Sequence, residues 1–232
     1  MRVKICGVTN VEDGKLALAL GADELGFILA PSPRFVAPES VKAIVEILRG
    51  DSNQSAFKAV GVFVNEESRA MRDIMTFAGL DLAQIHGDES PEACAAFDFP
   101  WYKALRIGSV ADAERLAGRP WLCGRILVDS APPATTPKAA AGASYGGTGS
   151  SIGTWAALAA RVRARESGKE FFVAGGIRPH NVASFIYSFS PDGIDVSSGV
   201  EESPGRKSKD KLVALFSAIK AAAREEASGA AR

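Results

Sequence analysis

Two residues in this chain have the right type and place to move protons. The first is Cys6, which closes the short apolar run RVKIC (2–6) and is followed at once by Gly7. A free thiol ionises near ~8.5, so modest stabilisation of its thiolate would make it a competent base at neutral pH. Strand alternation places Lys4 on the same side, where its charge could supply that stabilisation. Read alone, a free cysteine is equally a small buried hydrophobe. What favours chemistry is its place at the carboxyl end of a run, just before a possible helix cap at Thr9–Asn10. The second is Asp129, which closes RILVD (125–129) in the same way and is either a working carboxyl group or a cap or turn aspartate. Around them lie further candidates. Arg34 is stiffened by Pro31 and Pro33 and reads as a carboxylate fork or a solvated loop cation. Gln84 and His86 alternate to one side of LAQIH, as ligand contacts or as a buried hydrogen-bonded pair, and Asp195 has an open role. His180 reads as a surface or first-turn residue, and Cys94 and Cys123 as packing residues.

Anion binding is indicated by three glycine-rich turns in the last third, YGGTGSS (145–151), VAGGIRPHNV (173–182) and VSSGVEESPG (196–205). Glycine lets backbone approach an anion closely, while helix-start N–H groups and Ser/Thr hydroxyls donate without formal charge. The residues expected to do this are Gly146, Gly147, Thr148, Gly149, Gly175, Gly176, Ser197, Ser198 and Gly199. The GxGxxG and GxxxxGK[ST] signatures are absent, which favours a sugar phosphate over a dinucleotide.

The elements that must carry these residues follow from period. Short apolar runs alternate eight times with stretches of helical length: 2–6, 24–29, 58–64, 82–86, 101–107, 125–129, 169–174 and 193–198 are the strand candidates. VEDGKLALALG (11–21) and PESVKAIVEILRG (38–50) carry the acidic starts and glycine stops of helices. Near-continuous apolar strands separated by helices imply a parallel sheet covered on both faces, and eight repeats suit a single-domain α/β (β/α)8 TIM barrel over 1–224, with a frayed tail at 225–232. A doubly wound open sheet is the alternative. In a barrel, strand ends and the loops after strands seven and eight form the chemical face. The Pro/Ala/Gly-rich stretch 130–151 would lie there as a working loop.

Composition narrows the partner. The 27 Lys and Arg balance 27 Asp and Glu, so no global field favours nucleic acid or an acidic membrane surface, and a small molecule is expected. Three cysteines without a CxxC pair offer neither a disulfide framework nor a zinc cluster, and no apolar run has membrane-spanning length, so a cytoplasmic protein is expected.

KICGVT (4–9), GADELGFIL (21–29), SPR (32–34), VGVFVN (60–65), QIHGDE (84–89), LVDS (127–130), GGTG (146–149), VAGGIRPHNV (173–182) and IDVSSGVEESPGRKSKD (194–210) together resemble the phosphoribosylanthranilate isomerase family of tryptophan biosynthesis, in order along nearly the whole chain. The resemblance implies a (β/α)8 barrel that performs an Amadori rearrangement of N-(5-phosphoribosyl)anthranilate with no cofactor and no metal, as a monomer or homodimer. It further implies Cys6 as general base, Asp129 as general acid with a raised pKa, and Arg34 on the anthranilate carboxylate. One departure is visible: after GGTG the family continues with a Phe-Asp-Trp-like stretch, whereas this chain reads SSIGTWAAL, keeping only Trp155. Two rival readings are another sugar-phosphate isomerase or lyase on the same barrel, whose aminoaldose enzymes typically use two aspartates, and a non-enzymatic phosphate sensor.

Overall fold

The computed structural model describes residues 1–51, 56–130 and 153–229. Eight strands, β1 (Arg2–Cys6), β2 (Glu24–Ile28), β3 (Lys58–Phe63), β4 (Leu82–Ile85), β5 (Trp101–Ile107), β6 (Arg125–Ser130), β7 (Glu170–Val173) and β8 (Gly193–Val196), close in sequence order into a barrel. Every pair is parallel, including the closing pair β1 with β8, where Lys4 stands in register with Asp195. The open-sheet alternative is thereby excluded.

Helices cover the outside: α1 (Val11–Leu20), α2 (Pro38–Gly50), α3 (Ser68–Ala78), the single turn α4 (Pro91–Cys94), α5 (Val110–Ala117), α6 (Thr154–Glu166), α7 (Val182–Phe189) and α8 (Lys209–Gly229). The expected cap is real, since Asn10 Oδ1 accepts from the Asp13 N–H at 2.8 Å, and Gly21 ends α1 in the left-handed conformation at φ 113°. α8 runs through 225 and reaches Gly229. A hairpin beyond β8 has no counterpart in the sequence reading. After β8 come a 3-10 turn (Ser198–Val200) and a small antiparallel hairpin of β9 (Glu201–Ser203) and β10 (Arg206–Lys207).

Alternation sorts the strand side chains into two cores. Outward residues such as Ile5, Leu25, Ile85, Ile126 and Phe171 join the helices in one large cluster, whereas Val60, Tyr102, Ala104, Leu127, Phe172 and Ala174 pack inside the barrel. Below that plug Arg125 makes two 2.8 Å bonds to Glu24. Above it Cys6 packs with Ile28 and Val62 beneath the carboxyl-end mouth.

Candidate active site

β1 ends at the mouth and delivers Cys6, buried at 6% exposure. Room for its sulfur exists because its register partner on β2 is Gly26, where a Cβ would stand 2.7 Å from the Cys6 Sγ. β6 delivers Asp129 and the end of β4 delivers His86, with His86 Nε2 3.5 Å from Asp129 Oδ2. One cavity is lined by Cys6, Arg34, Gln84, His86, Asp129 and Asp195, and its rim by Gly175, Gly176, Ser197, Ser198 and Gly199. The structure therefore brings together the candidate thiol, carboxyl, guanidinium and two of the three glycine turns. Gly146, Gly147, Thr148 and Gly149, and the expected loop through 151, lie outside the described residues.

The two described turns are adjacent: a Cβ on Gly199 would collide with the Ile177 carbonyl, so only glycine lets the β8 loop approach the β7 loop. Gly175 and Gly176 both take left-handed φ, 89° and 70°, which leaves bare backbone facing the cavity. Ser197 Oγ is buried with no hydrogen-bond partner among the described residues.

Lys4 does not line the cavity but lies directly under it, fully buried, donating at 2.8 Å to both Asp195 Oδ2 and Gln84 Oε1. Burial opposes its charge, yet Asp195 and the neighbouring thiol and phenol outweigh burial and push its pKa well up, so it stays an ammonium. The expectation of a stabilised thiolate needs correction. Burial dominates at Cys6 and, with Asp195 adding to it, raises the thiol above its ordinary value, while Lys4 and Lys207 only partly offset that rise. The sulfur rests as a thiol.

Two residues that the sequence reading did not single out organise Arg34. Glu201 accepts from Arg34 Nε at 2.8 Å and from Nη2 at 2.7 Å, a side-on bidentate pair that does not engage the Nη1 end of the guanidinium. Lys207 donates at 2.9 Å to the same Glu201 and at 2.6 Å to the Cys6 carbonyl, tying the hairpin to the end of β1. Burial works to raise the Glu201 carboxyl, but Arg34 and Lys207 hold it below its usual range. Burial in turn lowers the Lys207 ammonium. Both residues sit in the quoted 194–210 motif, but Arg34, the partner of Glu201, is 167 positions away from it, so no local pattern reveals the pairing. His180 is exposed in a turn, and Cys94 and Cys123 are buried in the outer core, as expected. Among the described residues no helix is long and apolar enough to cross a membrane, and no group of three His, Cys, Asp or Glu residues could hold a metal ion.

A closed (β/α)8 barrel with a thiol and a carboxyl across its carboxyl-end mouth, a carboxylate fork at one side and glycine turns after strands seven and eight defines the class: a barrel built for acid–base chemistry on a phosphorylated small molecule. Residues 3–218 match the family model of N-(5'-phosphoribosyl)anthranilate isomerase. An N-(5'-phosphoribosyl)anthranilate isomerase of Gloeothece citriformis is 38% identical over 222 residues, which are 93% of this chain and 92% of that protein. Phosphoribosyl anthranilate isomerase from Thermus thermophilus superposes with a TM-score of 0.79 at 36% identity, covering 95% of this chain and 99% of that one. A further solved isomerase, in complex with reduced 1-(o-carboxyphenylamino)-1-deoxyribulose 5-phosphate, superposes at 0.77 with 31% identity and the same coverage. The chain belongs to the N-(5'-phosphoribosyl)anthranilate isomerase family.

Proposed function

We propose that this chain catalyses the Amadori rearrangement of N-(5'-phosphoribosyl)anthranilate to 1-(2-carboxyphenylamino)-1-deoxy-D-ribulose 5-phosphate in tryptophan biosynthesis, as a cytoplasmic monomer or homodimer without a cofactor. The observation that carries the assignment of roles is that Cys6 and Asp129, 123 positions apart in the chain, line one cavity. Asp129 gives a proton to the furanose ring oxygen as the C1–O bond breaks, and the anthranilate nitrogen lone pair closes the C1 iminium. Cys6, once it has released its resting proton to solvent, takes the C2 proton as the thiolate, and the C–H electrons form the enaminol. The enaminol O–H proton moves to C1 and leaves the C2 ketone. The proton gained by sulfur equals the one lost by the carboxyl, so the reaction is an isomerisation with no external redox partner.

Binding supports the same orientation. The Nη1 end of the Arg34 fork suits the anthranilate carboxylate, and the Gly175–Gly176 and Ser197–Gly199 turns suit the phosphate at the place where this fold commonly holds one. Purified protein should therefore quench the fluorescence of freshly prepared phosphoribosylanthranilate. Cys6→Ser and Asp129→Asn should each lower kcat by roughly 10²–10⁴-fold, the usual worth of one acid–base group. Inactivity of the wild type would defeat the function, and unimpaired turnover in either variant would defeat that residue's role.

A further inference from the structure

To protonate the ring oxygen, the Asp129 carboxyl group must be aimed. Beside it His86 is buried at 6% exposure, and its Nε2 has no hydrogen-bond partner among the described residues. Asp129 Oδ2 stands 3.5 Å from it, about half an ångström beyond ordinary hydrogen-bond length. Catalytic hydrogen bonds are often this long before substrate tightens them.

The proton on that imidazole is determined from the other side of the barrel. A lysine ammonium can only donate, so the Gln84 oxygen must face Lys4, which it meets at 2.8 Å. Tyr102 Oη donates to the same oxygen at 2.6 Å, and burial raises its pKa so that it keeps its proton. The Gln84 amide nitrogen must then face His86 Nδ1, 2.9 Å away. An amide N–H donates, so Nδ1 accepts, and a neutral ring carries its proton on Nε2, toward Asp129. Neutrality follows from the surroundings. Burial first, then the cations Lys4, Lys103 and Arg106, lower the His86 pKa to about 3, although the Asp129 carboxyl group faces the ring.

We propose that Gln84 and His86 are positioning residues that aim the general acid: Lys4 orients the Gln84 amide, the amide holds His86 as the Nε2–H tautomer, and Nε2–H anchors Asp129 Oδ2 so that Oδ1 presents the acid proton to the sugar ring oxygen. The opposite tautomer would place an imidazole lone pair against the carboxyl group and draw its proton away from the substrate. This role rests on the isomerase reading above.

The chain has two histidines, so ¹⁵N spectra of the labelled full-length protein resolve both. The buried ring should show a protonated Nε2 and an unprotonated Nδ1, unchanged across neutral pH. Gln84→Glu, whose carboxylate cannot donate to Nδ1, should move the proton to Nδ1 or charge the ring, and kcat should fall about 10–100-fold with KM changed less than about threefold, the range for a residue acting through another. His86→Gln, whose amide nitrogen reaches the Nε2 position, should stay within about tenfold of wild type, whereas His86→Asn, which reaches only the Nδ1 position, should lose about 100-fold. These two neutral variants carry the test if Gln84→Glu does not fold. An active wild type with an Nδ1–H or charged ring, or equal losses in the two histidine variants, overturns this inference alone. An inactive wild type sinks the isomerase reading and the aimed acid with it.

Discussion

His86 is a base held neutral in a cage of cations, and that has a consequence for stability as well as for catalysis. In the unfolded chain a histidine titrates near 6.5, whereas here burial, Lys4, Lys103 and Arg106 lower it to about 3. Between those values the unfolded state binds a proton that the folded state refuses. Stability is therefore full above the unfolded pKa and is lost as pH falls toward the folded one. At about pH 4.5 the loss from this residue alone amounts to about 3 kcal/mol, on the order of two pKa units. His86→Gln removes the titration. Urea unfolding of both proteins at about pH 7.5 and about pH 4.5 should show the wild type losing about 3 kcal/mol more than the variant on acidification. Parallel losses would mean that the folded state protonates His86 freely. The same residue marks a limit of sequence reading. LAQIH shows that Gln84 and His86 share a face, but a contact to the ligand and a buried pair were equally consistent with it. The donor-only chemistry of Lys4, brought 80 positions along the chain to Gln84, decides what the pair does.

At the scale of the elements, β2 is shaped to let the base stand. Gly26 opposes Cys6, and a Cβ there would meet the Cys6 Sγ at 2.7 Å and the Lys4 Cε at 3.0 Å, both on side chains fixed by packing. Gly26→Ala must push the thiol or strand β1 aside, at a cost of about 1–3 kcal/mol for overpacking. Because the displaced atom is the base, kcat should fall by about 10–100-fold, as expected when a reacting group is misplaced by a fraction of an ångström to one ångström. Stopped-flow turnover with a parallel melting curve checks this, and a variant with wild-type rate and stability would show that β1 is not held where the structure puts it. The strands themselves were legible because their apolar period is set locally: Arg2–Cys6 and Trp101–Ile107 match the sequence reading residue for residue. The β9–β10 hairpin was not. Strands of three and two residues carry no period, and what holds them is Lys207 reaching Cys6 and Glu201 reaching Arg34, contacts between distant parts of the chain.

Across the whole molecule the barrel divides its labour between its ends. Asp129 lies four residues beyond Arg125 on β6, about 13 Å along the strand. At the far end Arg125 is sandwiched over the Phe172 ring at 4.0 Å and the Tyr102 ring at 4.7 Å and makes its fork to Glu24, which is 1% exposed. None of these four residues lines the cavity at the mouth, Tyr102 alone reaching it through Gln84, and Arg2 and Glu170 flank the ion pair from below, so its main contribution is to closure of the barrel. Removing one member of a buried pair leaves the other charge uncompensated and costs about 3–5 kcal/mol. Glu170, half exposed and 3.3 Å from Arg125 Nε, can screen part of that charge, which places the expected loss for Glu24→Ala at the lower end. The two ends should then separate cleanly in experiment. Glu24→Ala should lose about 3 kcal/mol by urea unfolding while kcat and KM at a temperature where it remains folded stay within about twofold of wild type. Cys6→Ser should do the reverse, keeping its stability within about 1 kcal/mol while turnover collapses, because the substitution changes one atom of similar size and alters its acidity far more than its packing. A Glu24→Ala protein that stays fully folded but loses turnover in proportion would mean that the lower ion pair is transmitted through Tyr102 and Gln84 to the mouth. In that case the barrel interior acts as one connected network from floor to rim.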